Sequence, residues 1–337
     1  MREKVFPPAH ARLLLHAAMV FFALLGPASA QEIVFASAEE GRRFLSTRDA
    51  YVQSMSAFDR AARMKTDRDV SESEYLAFAG KAPLEWEREE REAVEAAYKD
   101  IQPAIARLRL PLPKRIYFVK TSGIEDAHAA YTRQNAIVLP VRILGTLRDR
   151  ALKRLIAHEP FHISTRAYPQ LVDRLYEVIG FQACGEVELP VGLKARRITN
   201  PDAPKDQHCI RVDVSGEKVW ALPVLFSLAS KEDIARGGEF LDNVTVGLLL
   251  VDKPAGAAVA RPLMGPKGPR FVRLEDVSGF FEQIGRNTKY LIHPEEILAD
   301  NFALLAIGER NVPSPGILAG IEKVLAKFTA DEAQPRR

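Results

Sequence analysis

His158, Glu159 and His162 stand in the stretch LIAHEPFHISTR, Leu155 to Arg166, in the pattern H-E-x-x-H. On an α-helix, residues four apart share a face, so two imidazoles can aim at one ion. Zinc takes neutral imidazole nitrogen well. Glu159 is rotated about 100° around such a helix from His158. Its carboxylate then lies beside the ion rather than on it. From there it can accept a proton from a water whose pKa the ion lowers toward neutrality. The segment predicts two Zn2+ ligands, His158 and His162, and one general base, Glu159.

A catalytic zinc site needs a third protein ligand and leaves its fourth position to water. The extended pattern H-E-x-x-H-x-x-G-x-x-H fails here, because Thr165 replaces the Gly and Tyr168 the third His. The best candidate lies far downstream in YLIHPEEILADNFALLA. There His293 suits an N-cap, Pro294 the first helical position, and Glu295 and Glu296 the first turn. Glu296 and Asp300 are four apart on one face. Glu296 is read as the third ligand. Asp300 is read as the acceptor for the N–H of a ligating His158, fixing its tautomer. A group to polarise a substrate carbonyl is available in His208, His293, Tyr290 and Tyr168, among which the sequence does not choose.

The set His158-Glu159-x-x-His162 followed by Glu296-x-x-x-Asp300 resembles the zinc metallopeptidases of the gluzincin, thermolysin-like type. In that group an edge strand just before the zinc helix holds extended substrate by backbone hydrogen bonds, often at an Asn-Ala pair. TRQNAIVLP places Asn135 and Ala136 there. The resemblance implies peptide hydrolysis, Zn2+ as cofactor, and Asn135 and Ala136 as substrate-binding residues. It covers roughly 115–166 and 290–308, under a quarter of the chain. The gap between His162 and Glu296 is much longer than is usual in the group, so 182–274 is expected to loop out as an insertion that covers or restricts the cleft. Failing that, Glu177, Glu186 or Glu188 takes the place of Glu296.

Pro160 is the second departure. It has no N–H for the carbonyl of Ile156, and its ring crowds that turn, at a cost of ~3 kcal/mol inside a helix. It also biases Glu159 away from the α region. A kink or local bulge is expected at 156–160, with the base more vulnerable than the ligands.

The elements that must position these residues read as α+β. Residues 37–66 carry a helical pattern. Residues 84–108 form a charge-rich amphipathic helix that Pro103 should kink or end, its Glu/Arg run a solvated face. KRIYFVKTSG reads as a strand, and AAYTRQNAIVLPVRIL as a second, closed by Pro140. Apolar residues from Leu144 onward recur at helical spacing into the H-E-x-x-H segment, and another helix follows near Pro169–Phe181. GEVELPVGL, CIRVDVSG, VWALPVLFSLA and NVTVGLLLVD read as strands of a β-rich insertion at about 182–274, with TNPDAPKD and a long Gly/Pro-rich segment as loops. Helices return at 275–285, 294–308 and 315–328. The expected architecture is a small sheet with an edge strand packed on the zinc helix, a β-rich insertion and C-terminal helices.

The chain has 337 residues, 47% hydrophobic and 27% charged, ordinary for a globular protein. Its first thirty residues have a basic start, a short apolar run and the small-residue end PASA, which predicts a secretory signal peptide cut after Ala30. That segment carries Arg2, Lys4 and Arg12 against Glu3, so of the net +3 only about +1 belongs to the remainder. Nothing points to a nucleic-acid partner or to stable membrane insertion after cleavage. A periplasmic or secreted location follows. Two cysteines, Cys184 and Cys209, can then form a disulfide. Residues 31–330 read as one metallopeptidase-like domain, and 331–337 as a disordered tail.

The reading is an exported zinc-dependent peptidase acting on a peptide or protein substrate. The rival is a catalytically impaired, peptidase-like binding or scaffold protein that recognises an extended peptide, with Pro160 marking lost catalysis.

Overall fold

The computed structural model describes residues 31–328 apart from 238–239 and 254–257. The expected leader and the 331–337 tail lie outside the described residues. The fold is α+β with two sheets.

The first sheet has the order β1 (Glu32–Phe35), β2 (Arg115–Thr121), β4 (Ala136–Pro140), β3 (Tyr131–Arg133). The β1–β2 and β2–β4 pairs are parallel, and β3–β4 is an antiparallel hairpin. Side chains alternate across a strand, and the two faces enter different cores. Ile116, Phe118, Ile137 and Leu139 face the large core with the long helices. Val119, Ala136 and Val138 face a smaller core under the N-terminal helices. The helical stretch expected at 37–66 is three short helices, Ala38–Leu45, Ala50–Ser54 and Ala57–Arg63. Ser37, Asp49 and Ser56 each cap the next helix through a side-chain oxygen.

Three long helices build the other layer. The charge-rich helix runs Arg88–Leu108, continuous through Pro103. The histidine helix runs Asp149–Ala167 and the glutamate helix Pro294–Ala306. The bulge expected at Pro160 is absent: 156–160 are α-helical and fully buried. Every residue from Ile156 to Thr165 is buried, and packing of that extent outweighs the ~3 kcal/mol local penalty of one proline.

The insertion is a sheet in its own right. β5 (Phe181–Ala183), β6 (His208–Val214), β7 (Glu217–Ser227) and β8 (Val244–Asp252) are antiparallel neighbours in that order, with Phe271–Val272 beyond β8. The β6–β7 hairpin turns at Ser215 and Gly216, both at positive φ, as a two-residue hairpin requires. GEVELPVGL is not a strand; it is irregular up to a short helix, Val191–Lys194. Pro190 at its N-cap and the backbone freedom of Gly185 (φ 70°) fit that course. Nor does the insertion loop out. Ile210, Val212, Val219, Ala221, Leu248 and Leu250 pack into the main core. The opposite face forms its own cluster around Cys184 and Cys209, which are disulfide-bonded with Cα atoms 5.9 Å apart.

Candidate metal centre

The histidine helix brings His158 and His162 to one face, and the glutamate helix packs beside it. His293 caps the latter, its Nδ1 accepting from the Glu295 N–H at 3.1 Å, with Pro294 in the first turn. Three ligand atoms converge. His158 Nε2 lies 2.9 Å from His162 Nε2 and 3.1 Å from Glu296 Oε2, and His162 Nε2 lies 3.6 Å from Glu296 Oε2. Tetrahedral zinc with bonds of 2.0–2.1 Å sets its ligands about 3.3–3.4 Å apart, so these atoms already have the spacing of one coordination sphere. The three residues are buried and could hold a metal ion.

Both rings are oriented from behind. His158 Nδ1 donates to Asp300 Oδ1 at 3.2 Å, and His162 Nδ1 donates to Glu295 Oε1 at 3.0 Å. This leaves each Nε2 for the centre. Asp300 is itself held by the Thr288 hydroxyl and by Arg154 at 3.3 Å. Glu295 accepts from Thr165 Oγ1 at 2.5 Å and from the Tyr176 hydroxyl at 2.7 Å. Sequence reading gave Glu295 only a helix-terminal role and gave Tyr176 none. Glu295 meets a ring nitrogen 133 positions away and Tyr176 meets Glu295 119 positions away, and no local pattern shows either.

Burial alone would lower the His158 pKa, but hydrogen bonds to Asp300 and Glu296 outweigh it and lift the group to about 9. Burial would raise Glu296, but the two histidines hold its carboxyl well below the usual range. Glu159, 2% exposed, is pushed up to about 8 by burial and then by Asp202. Its Oε2 has no hydrogen-bond partner. A buried acidic oxygen without a partner is costly, and its position beside the cluster is that of a group awaiting a proton or a ligand.

A cleft of about 390 Å³ opens over His158, lined by Arg154, Glu159, Asp202, Tyr290, Glu296 and Asp300 among others. Of the four carbonyl-polarising candidates, Tyr290 alone lines it, its ring centroid 6.4 Å from that of His158. His208 bonds to Asp173 at 2.8 Å, His293 serves as the helix cap, and Tyr168 packs against Phe328. The fallback ligands Glu177, Glu186 and Glu188 are exposed and outside the cluster. Sequence reading missed Asn200 and Asp202, both in a segment that reads only as a loop.

Asn135 and Ala136 do not form a substrate edge. Asn135 sits in the two-residue turn between β3 and β4, after Gln134 at φ 54°. Its side chain donates to the Arg115 carbonyl at 2.9 Å, and its own carbonyl accepts from Tyr117. Ala136 is on β4, paired on both sides. The short hairpin TRQNA moves the edge to β3, which one continuous strand would not have done.

No family model, curated protein or solved structure matches this chain. Among the described residues no helix is long and apolar enough to cross a membrane.

Proposed function

We propose that this protein is a zinc-dependent peptidase. The observation that carries the reading is the convergence of His158, His162 and Glu296 at the spacing of one coordination sphere, with Glu159 buried beside them and its Oε2 without a hydrogen-bond partner. Two imidazoles and one carboxylate form the donor set of a catalytic rather than a structural zinc site. A bound zinc ion supplies Lewis acidity, which lowers the pKa of a water at the centre and polarises a carbonyl. Glu159 takes the proton of the attacking water and passes it to the leaving amine. Asp300 and Glu295 keep the two rings in the tautomer that leaves Nε2 available. Tyr290, at the cleft, is placed to donate to the developing oxyanion. A peptide is the substrate favoured by the sheet beside the site, since an extended chain adds to a sheet edge through its backbone. The disulfide fits an exported protein.

The test compares wild type with Glu159→Gln. Purified wild-type protein is expected to carry about one zinc per chain and to cleave members of a peptide library. The variant is expected to keep the metal and lose at least a hundredfold in turnover, in line with removal of a general base. Equal turnover in the two proteins overturns the mechanism, and absence of zinc from wild type overturns the centre.

A further inference from the structure

The segment Thr199–Pro204 of the insertion enters the site. Asn200 Nδ2 donates to Glu296 Oε1 at 2.6 Å. Asp202 offers a carboxylate oxygen within 4.8 Å of ligand atoms of both Glu159 and His162, a second grouping able to hold an ion. The same aspartate takes up the sheet edge. The N–H of Thr132, the middle residue of β3, donates to Asp202 Oδ1 at 2.8 Å, and the Thr132 hydroxyl donates to the same oxygen at 2.5 Å. Arg166, from the end of the histidine helix, reaches the segment at the Pro201 carbonyl, 3.4 Å away. One carboxylate thus touches the edge of β3 and stands beside Glu159 and His162.

Asp202 lines the cleft over His158 and also a second cavity of about 270 Å³ on the far side, bounded by Thr132, Arg133 and Tyr176. Asp202 therefore stands between the two cavities, of which the second is lined by β3 at Thr132 and Arg133. The segment is tied down at both ends. The Thr199 N–H donates to Asp59 at 2.9 Å, and its carbonyl accepts from the buried Arg63 at 2.7 Å. Arg197 holds Asp206 at 2.6 Å and the Pro204 carbonyl at 2.7 Å.

We infer that Thr199–Pro204 is a built-in occupant of the substrate site that keeps the folded chain latent, with Asp202 closing the β3 edge and setting its carboxylate beside Glu159 and His162. A substrate lying along β3 needs the N–H that Asp202 holds, and an anionic ligand entering the cleft meets the carboxylate that stands beside Glu159 and His162. The inference rests on the zinc-peptidase reading. Glu159, buried and unpartnered, is the group left idle while the segment is in place.

Asp202→Asn keeps an oxygen for Thr132 and removes the negative charge beside Glu159 and His162. Asp202→Ala removes both functions. Each is prepared with one Zn2+ per chain and its fold checked by thermal unfolding. The probe is acetohydroxamate, a small bidentate zinc binder, with its Kd followed by calorimetry. Peptide-library turnover is measured in parallel. For Asp202→Ala both the affinity for acetohydroxamate and the turnover are expected to rise at least tenfold over wild type. Asp202→Asn, which keeps the edge of β3 closed, is expected to leave turnover at the wild-type level. Either readout staying at the wild-type level in a folded, zinc-loaded Asp202→Ala, or a tenfold rise in turnover for Asp202→Asn, overturns the inference. Loss of the underlying centre is distinguishable: a His158→Ala/His162→Ala variant that takes up zinc as well as wild type removes the site itself, before any probe is added.

Discussion

On the proposed reading, protons and metal compete for the Nε2 atoms of the two histidines. In the metal-free protein the His158 pKa is lifted from 6.5 to about 9 by its bonds to Asp300 and Glu296. Protonated His158 therefore contributes stability that is complete below pH 6.5 and lost as pH rises through 9. A ligating ring must be neutral, so ion uptake displaces at least this proton anywhere between those values. Apparent zinc affinity is expected to climb between pH 6.5 and 9 by up to about tenfold per unit for each proton displaced. Calorimetric titration in buffers of different ionisation enthalpy counts those protons directly. An affinity flat across this range contradicts the assignment of His158 as ligand.

Pro160 poses its question for the histidine helix as a unit. The helix holds its course because both its neighbours and the sheet bury the stretch around the proline, not because the local sequence favours it. The intrinsic cost of about 3 kcal/mol relative to Ala is still carried in the folded state. Pro160→Ala restores the N–H that can bond to Ile156, while the lost ring atoms take back part of the gain. A net rise of about 1–2 kcal/mol in unfolding free energy is expected, read as a higher urea midpoint at unchanged slope. A lower midpoint would show that the surrounding side chains are fitted to the proline ring. The hairpin β3–β4 is the other informative element. Its two-residue turn at Gln134 and Asn135 makes β3 instead of β4 the last strand of the sheet, and Asp202 covers that edge at the Thr132 N–H.

The disulfide Cys184–Cys209 closes a ring of about 25 residues, counted from its sequence separation, and that ring contains Asn200 and Asp202. Such a closure stabilises by about 3 kcal/mol, through loss of freedom in the unfolded chain. Cys184→Ser/Cys209→Ser is expected to lower the unfolding free energy by about 2–4 kcal/mol, measured by denaturant unfolding. A smaller change would mean that β5, β6 and the hydrogen bonds of Arg63 and Arg197 already confine the segment. The insertion sheet shares its core with the long helices. The fold is thus one body in which a loop of the insertion reaches a centre built by two distant helices.

That His158 and His162 share one helix face, and Glu296 and Asp300 another, was legible from residue type and helical spacing, because a period of 3.6 turns positions in a chain into positions on a face. The helices around them and the strands β2, β6, β7 and β8 were legible for the same reason, from their apolar periods. Three things were not. The course of the helix through Pro160 depends on burial from all sides. The identity of the sheet edge depends on a turn two residues long. Asp202 arrives from a segment whose Asn, Pro and Asp residues say only that the chain bends there. Local pattern reports which way a side chain faces on its own element; which distant side chain it meets is decided by packing.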